Sequence, residues 1–274
     1  MLIKEIFPYL PHKPGDVGIE IEIEGKNIPP CLGWDRVNEG SLRGKESIEY
    51  RLPGPVPYNK VYDVLKVLYD RMIRKETILF NSDRTSVHVH INVMDMNVVH
   101  CFNFIFLYII FEDILLKYSG EEREGNLFCL STKDAEGLLF TLKRVAETQQ
   151  FSKLNGEDIR YSSLNLQAIP TYGSLEFRSL RGTGDFGVMS EWIYIIKKLK
   201  DFAEHIETPR NLLYNFSADG PEKFFYNVFG REFEHLKYKG WEIDSEENIR
   251  NIQFIISSTM WETFTRMLEP LEDI

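Results

Sequence analysis

Three cysteines in 274 residues, Cys31, Cys101 and Cys129, are too few, too far apart and odd in number for a disulfide framework or a CxxC metal knuckle. Reduced, buried thiols are the expectation. Positive charge is also scarce. The 32 lysines and arginines against 42 aspartates and glutamates leave a net charge of −10, which denies the chain the basic footprint of a nonspecific nucleic-acid coat. Arg71, Arg74 and Lys75 make one small basic face, read as a solvated helix surface. Long apolar runs are missing too. The greasiest stretch, FNFIFLYIIFEDILL, is interrupted by Asn103 and by Glu112-Asp113 and falls short of the ~20 residues of a membrane span, so it reads as a buried core helix. At the N-terminus, Lys4, Glu5 and Pro8 come too early for a secretory signal. With no low-complexity tract and no repeat, the expectation is one elaborated domain over residues 1–274, cytoplasmic and without a membrane partner.

What is present is an interleaving of period-two and helical patterns. Residues 17–25 alternate as a strand. The segment WDRVNEGSLRGKESIEYRL places short extended pieces around a turn at Glu39-Gly40, and Val61, Val64, Leu65, Leu68 and Met72 then recur at helical spacing to about Lys75. RTSVHVHINVM alternates again, ahead of the apolar helix from Val98 to Lys117. Ser131-Thr132-Lys133-Asp134 resembles a capping box opening a helix to about Gln149. RYSSLNLQAI and YGSLEFRSL read as an antiparallel hairpin joined by Pro170-Thr171, with a glycine-rich loop, RGTGDFG, after it. Helices over Met189–His205, Pro221–Val228 and about Asn248–Met267 fill the remainder, with GWEIDSEEN an exposed loop. The fold class is therefore α+β, a mostly antiparallel sheet with packed helices and a C-terminal helical portion. Trp192, Phe224, Phe225, Tyr226, Trp241 and Trp261, at helical spacing, read as core packing rather than a ligand stack.

Three strand patterns carry possible chemistry. In GIEIEIEG, Glu20, Glu22 and Glu24 share one face and three isoleucines the other. Such a row serves either as a charged edge against aggregation or as a wall of oxygen ligands. Two carboxylates ~5 Å apart repel by roughly 3 kcal/mol at an effective dielectric near 20, and a divalent cation reverses that sign. In SVHVHIN, His88, His90 and Asn92 share a face, as a metal or phosphate site or as a satisfied pair on a half-wet sheet. In SLEFRSLRGTGDFG, Glu176 and Arg178 share a face, as an ion pair or as part of a site, with Arg181 following.

In this order, GIEIEIEG, EGSLRGKESIEYRLPGP, SVHVHINV and NLQAIPTYGSLEFRSLRGT resemble the glutamine synthetase-like amidoligases of phage and bacterial genomes, over about residues 17–195. Glutamine synthetases carry an ExE strand, a HxH segment and an ExR strand in the same sequence. The resemblance implies a glutamine synthetase-like catalytic domain with a curved, bowl-shaped sheet. ATP and a carboxylate substrate would enter it from opposite ends, with Mg²⁺ or Mn²⁺ between them. By position it implies Glu20 and Glu22 as metal ligands, His88 on a metal shared with the nucleotide phosphates, Glu176 completing that site and Arg178 facing the transferred phosphoryl group. Glu49 is the implied third-strand ligand, with Glu39 and Glu46 as rivals. Asn165 and Arg181 would border substrate or phosphates, and His90 would support the same face. Ser86 stands where relatives often have glycine, Glu39 where many have aspartate, and Glu24 inherits no metal role. The implied activity is ATP-dependent joining of a small-molecule or peptide carboxylate to an amine through an acyl phosphate. A phosphotransferase of the same fold, or a silent regulator binding nucleotide or a partner protein, are the alternatives. Residues 196–274 are expected to cover or shape the substrate end.

Overall fold

The structure is a computed structural model that describes residues 1–266 apart from 12, 39, 121–122, 156–158 and 240–244. Alternating isoleucine and glutamate make Val17–Lys26 a ten-residue strand, β1, whose Ile19, Ile21 and Ile23 are buried. Six more strands join it: Asp35–Val37 (β2), Ser47–Arg51 (β3), Ile78–Leu79 (β4), Ser86–Asn92 (β5), Leu164–Asn165 (β6) and Ser174–Arg181 (β7). Their order is β2-β3-β1-β5-β7-β6, with β4 on the end of β1, and every pairing is antiparallel. β1 thus lies inside the sheet between β3 and β5, and the edge-strand reading of its glutamates does not hold.

Register turns separate sequence motifs into rungs. Glu20 lies opposite Arg51 on β3 and His88 on β5, Glu22 lies opposite Glu49, and Glu176 lies between His90 and Asn165. A bulge between Val87 and Val89 shifts the pairing with β7. On the opposite face, Ile19, Ile21, Val87, Val89 and Phe177 are almost wholly buried.

Helices precede, connect and follow these strands. They run Ile3–Ile6 (α1), Val61–Arg74 (α2), Val98–Ser119 (α3), Glu136–Thr148 (α4), Ala168–Tyr172 (α5), Phe186–Glu204 (α6), Pro209–Phe229 (α7), Ser245–Ser258 (α8) and Thr263–Arg266 (α9). α3 is apolar all round and is long and apolar enough to cross a membrane, but 89% of its most apolar window is buried inside the protein, as a central helix requires. It packs against β7, α6, α7 and α8. Both polar breaks in its sequence find hydrogen-bond partners, although Asn103 Oδ1 is left without one. Asn103 Nδ2 donates to the Ile206 carbonyl at 2.7 Å, and Glu112 accepts from the Thr132 amide at 2.8 Å and from the Ser163 hydroxyl. Trp192, Phe224, Phe225 and Trp261 are core residues, Tyr226 is half-buried, and Trp241 lies outside the described residues.

Several expected boundaries move. β6 and β7 do pair, but their connection is the helical turn α5 rather than a Pro-Thr hairpin; Asn165 Oδ1 caps the Gln167 amide at 2.9 Å and Gly173, at φ +73°, ends the turn. α4 starts at Glu136, because the Ser131 hydroxyl bonds the Asp134 carboxylate at 2.6 Å in a separate turn ahead of the helix. α7 begins at Pro209 and is broken by Gly220, at φ +72°. The expected C-terminal helix is split into α8 and α9, and Ser245–Asn248, expected as loop, already belongs to α8. The rest of that loop, 240–244, is outside the described residues. Finally, α6, α7 and α8 pack around α3, and no described residue beyond Arg178 lines either cavity of the polar face.

Candidate functional site

The polar face of β1, β3, β5 and β7 collects most of the predicted residues. Glu20 Oε1 lies 2.9 Å from Arg51 Nε, and Arg51 Nη2 lies 2.6 Å from Glu49 Oε1. His88 Nδ1 is 3.5 Å from Glu20 Oε2 and 3.4 Å from Glu176 Oε1. Glu176 is held on both sides: Asn165 Nδ2 donates to one carboxylate oxygen at 2.7 Å, and Arg178 Nη1 pairs with the other. His90 Nδ1 meets the Ser174 hydroxyl at 3.1 Å, and its ring stands edge-on to Tyr172. Ser86 donates to Glu22 and lies 2.8 Å from His88 Nε2.

So much charge in so little space moves the protonation equilibria. Burial works against the Glu20 carboxylate, yet His88 and His90 beside it hold its carboxyl far below the ordinary 4.5. Burial likewise opposes ionisation of Glu176, and the opposing pull of His90 and Arg178 prevails, lowering it. Glu49 goes the other way: burial and the Glu20 charge raise it against Arg51. Burial depresses His90, but the Glu176 and Glu20 carboxylates more than offset this and raise it.

Glu20, His88 and Glu176 offer one ligand atom each, all within 4.8 Å of one another. Ligands of an ion at ~2.1 Å sit about 3.0–3.4 Å apart, near the two His88 separations, which are too long for good hydrogen bonds. His90 Nε2, buried and without a hydrogen-bond partner, faces Glu20 Oε2 at 3.9 Å. Carboxylate oxygens with one imidazole suit Mg²⁺ or Mn²⁺, so these residues fit a divalent cation. Glu22 and Glu49 stand one rung away, turned to Ser86 and Arg51.

Two cavities of about 280 Å³ each open on this face, and Glu20, Arg51, His90, Thr171 and Tyr172 line both. One is walled largely by carbon, from Pro11, Leu52, Pro53, Pro55 and Met94, with Lys13. The other holds the acidic cluster together with Arg84, Arg160, Arg178 and Phe128.

Not every predicted residue belongs. Arg181 reaches the α3 C-terminus, where Nη1 donates to the Ser119 carbonyl at 3.2 Å and to Tyr118 at 3.5 Å, and it lines neither cavity. Glu46 is exposed, ahead of β3, and Glu39 lies outside the described residues, which leaves Glu49 as the third-strand acid at the cavity. Glu24, left as a plain surface residue by its sequence, is buried: its Oε1 accepts from the backbone amides of Arg43 at 2.7 Å and Gly44 at 3.1 Å, pinning the loop beside Ser41 that borders the second cavity. Sequence reasoning passed over Arg51, although its position two residues after Glu49 on a strand puts it on the same face. Arg84 and Arg160 come from irregular connections and give no periodic signal.

Comparison with known proteins bears on what such a face does. A family model described as "Putative amidoligase enzyme" matches residues 47–199, a span that includes β3, β5, β6 and β7 and stops short of β1. No curated protein matches the chain. With more than half of its length matched, the chain belongs to the amidoligase family, ligases that form amide bonds.

Proposed function

We propose that the protein is an ATP-dependent carboxylate–amine ligase with a glutamine synthetase-like fold. It activates a small-molecule or peptide carboxylate as an acyl phosphate and passes the acyl group to an amine. The observation that carries this reading is the Glu20–His88–Glu176 cluster in the second cavity, with Glu20 lining the carbon-walled cavity as well. A carboxylate does not acylate an amine near neutral pH, because its oxygen is a poor leaving group. Transfer of the ATP γ-phosphoryl group to that oxygen makes phosphate the leaving group; the amine nitrogen then bonds the carbonyl carbon, the C–O bond to phosphate breaks, and the ammonium proton is lost.

Protein work in such a reaction is placement and charge compensation. Glu20, His88 and Glu176 would hold Mg²⁺ or Mn²⁺, with Glu22 and Glu49 as the acids of a neighbouring position. A bound ion would supply neutralisation of phosphate charge. Arg178, Arg84 and Arg160 give the second cavity its cations for phosphate oxygens, and Asn165 keeps the Glu176 carboxylate aimed. The carbon-walled cavity with Lys13 is assigned to the acceptor carboxylate. A cytoplasmic location goes with this reading, supported by three free, buried cysteines. The proposal contains neither a membrane nor a nucleic-acid partner.

The test is phosphate release from ATP and Mg²⁺ in the presence of pooled acids, pooled amines, or both. Release that requires both supports a ligase. A stable phosphorylated product from the acid pool alone would instead mean phosphotransfer, and calorimetry without nucleotide or divalent-ion binding would mean a silent relative.

A further inference from the structure

Ser86 is buried at the start of β5 and touches two ionisable neighbours at once. Its hydroxyl donates to Glu22 Oε2, and the same oxygen lies 2.8 Å from His88 Nε2. A hydroxyl has one proton. With that proton on the Glu22 bond, the serine oxygen can only accept from the imidazole, so Nε2 must carry hydrogen. In the neutral ring this leaves Nδ1 with its lone pair, and Nδ1 is the atom that faces Glu20 Oε2 at 3.5 Å and Glu176 Oε1 at 3.4 Å. The opposite tautomer would aim Nδ1–H at these two oxygens over long contacts, and the serine proton would have to leave a buried carboxylate to serve Nε2. The Nε2–H form keeps the serine bond and turns a lone pair toward two anionic oxygens, an arrangement that a cation relieves.

We infer that Ser86 is a positioning residue that locks His88 in the Nε2–H tautomer and so presents the Nδ1 lone pair to the point shared by Glu20 and Glu176. This rests on the reading of those three residues as a cation site, and it does not depend on the reaction catalysed there. It also gives Glu22 a definite task. One of its oxygens is committed to orienting the neighbouring ligand, as outer partners of metal-bound histidines commonly do.

Two measurements without nucleotide or substrate test the inference. In the metal-free, ¹⁵N-labelled protein at mildly alkaline pH, long-range ¹H–¹⁵N correlation assigned with His88→Gln reports the ring tautomer directly. The expected result is a protonated Nε2 in the wild type and a tautomer mixture in Ser86→Ala. Mn²⁺ titration followed by electron paramagnetic resonance should show affinity weakened roughly 10–100-fold in Ser86→Ala. Ser86→Thr, which keeps the hydroxyl, should restore both readouts. A wild-type ring protonated on Nδ1 overturns the inference whatever the variants do, and so does Ser86→Ala binding Mn²⁺ as tightly as the wild type. Because neither readout involves turnover, the ligase reading can fail while this result stands, and the reverse.

Discussion

Changing Glu176 to glutamine keeps the side chain's shape and leaves an amide oxygen for Asn165 Nδ2, now 2.7 Å from the carboxylate, but it removes the charge. In the metal-free chain two consequences oppose each other. The ligand oxygens of Glu20 and Glu176 lie within 4.8 Å, so relief of their repulsion is worth at least about 3.5 kcal/mol at an effective dielectric of 20. Depriving the largely buried Arg178 of its partner costs about 3–5 kcal/mol. The lowered Glu176 carboxyl shows attraction prevailing even against burial, so the metal-free variant should be less stable than the wild type. With cation present the difference widens. At Mn²⁺ a hundredfold above its dissociation constant the wild type gains about 2.7 kcal/mol. At roughly 2–4 °C per kcal/mol this raises Tm by about 5–10 °C. Glu176→Gln, lacking one of three ligands, should shift by less than about 1 °C at the same concentration. Differential scanning calorimetry at two Mn²⁺ concentrations decides the matter. An undiminished shift in the variant would refute the reasoning, because the cation would then be held elsewhere.

Burial raises the Glu112 carboxyl from its ordinary 4.5 to about 7, against hydrogen bonds from Ser163 and Thr132. A folded-state value above the unfolded one means that the native protein holds the extra proton. Stability should therefore fall as pH rises from about 4.5 to about 7, by about 3 kcal/mol in total. Glu112→Gln should flatten that slope in urea titrations, and an unchanged slope would show that the group is not responsible. Glu24→Ala should cost about 1–3 kcal/mol, since two backbone amides lose their acceptor, and should speed tryptic cleavage after Arg43 and Lys45; unchanged cleavage would mean that the loop is held by other contacts. Arg178→Lys should lower ATP-linked turnover roughly 100-fold, because an ammonium cannot reproduce a planar fork that meets Glu176 and phosphate together. Turnover within a few-fold of wild type would remove Arg178 from the reaction.

What the sequence made legible, and what it did not, follows from how far each signal reaches along the chain. Period-two alternation told which residues of one strand share a face: Glu20 with Glu22, His88 with His90, Glu176 with Arg178. It carries no information on which strand lies beside which. The meeting of Glu20 with both Arg51 and His88 is set by register across three strands far apart in sequence. Family resemblance supplied the convergence of Glu20, His88 and Glu176 that alternation could not. Arg181 lines neither cavity because its long side chain finds the carbonyls at the end of α3, a contact that leaves no periodic signal. Glu24 was underrated for the complementary reason: its partners are backbone amides of a loop, which leave no residue-type signature. The helices were read well where one face is apolar, as in α2, and less well at boundaries fixed by single contacts, such as the Ser131–Asp134 turn before α4.

The most direct test of the central claim is to incubate the protein with ATP, Mg²⁺ and fractionated cell extract and to follow new masses by mass spectrometry, with Glu176→Gln as control. The account predicts a product equal to a carboxylic acid plus an amine less one water, formed together with ADP and phosphate, and absent from the variant reaction. A product that retains the phosphoryl group, or an equal yield of the condensed product from Glu176→Gln, would contradict it.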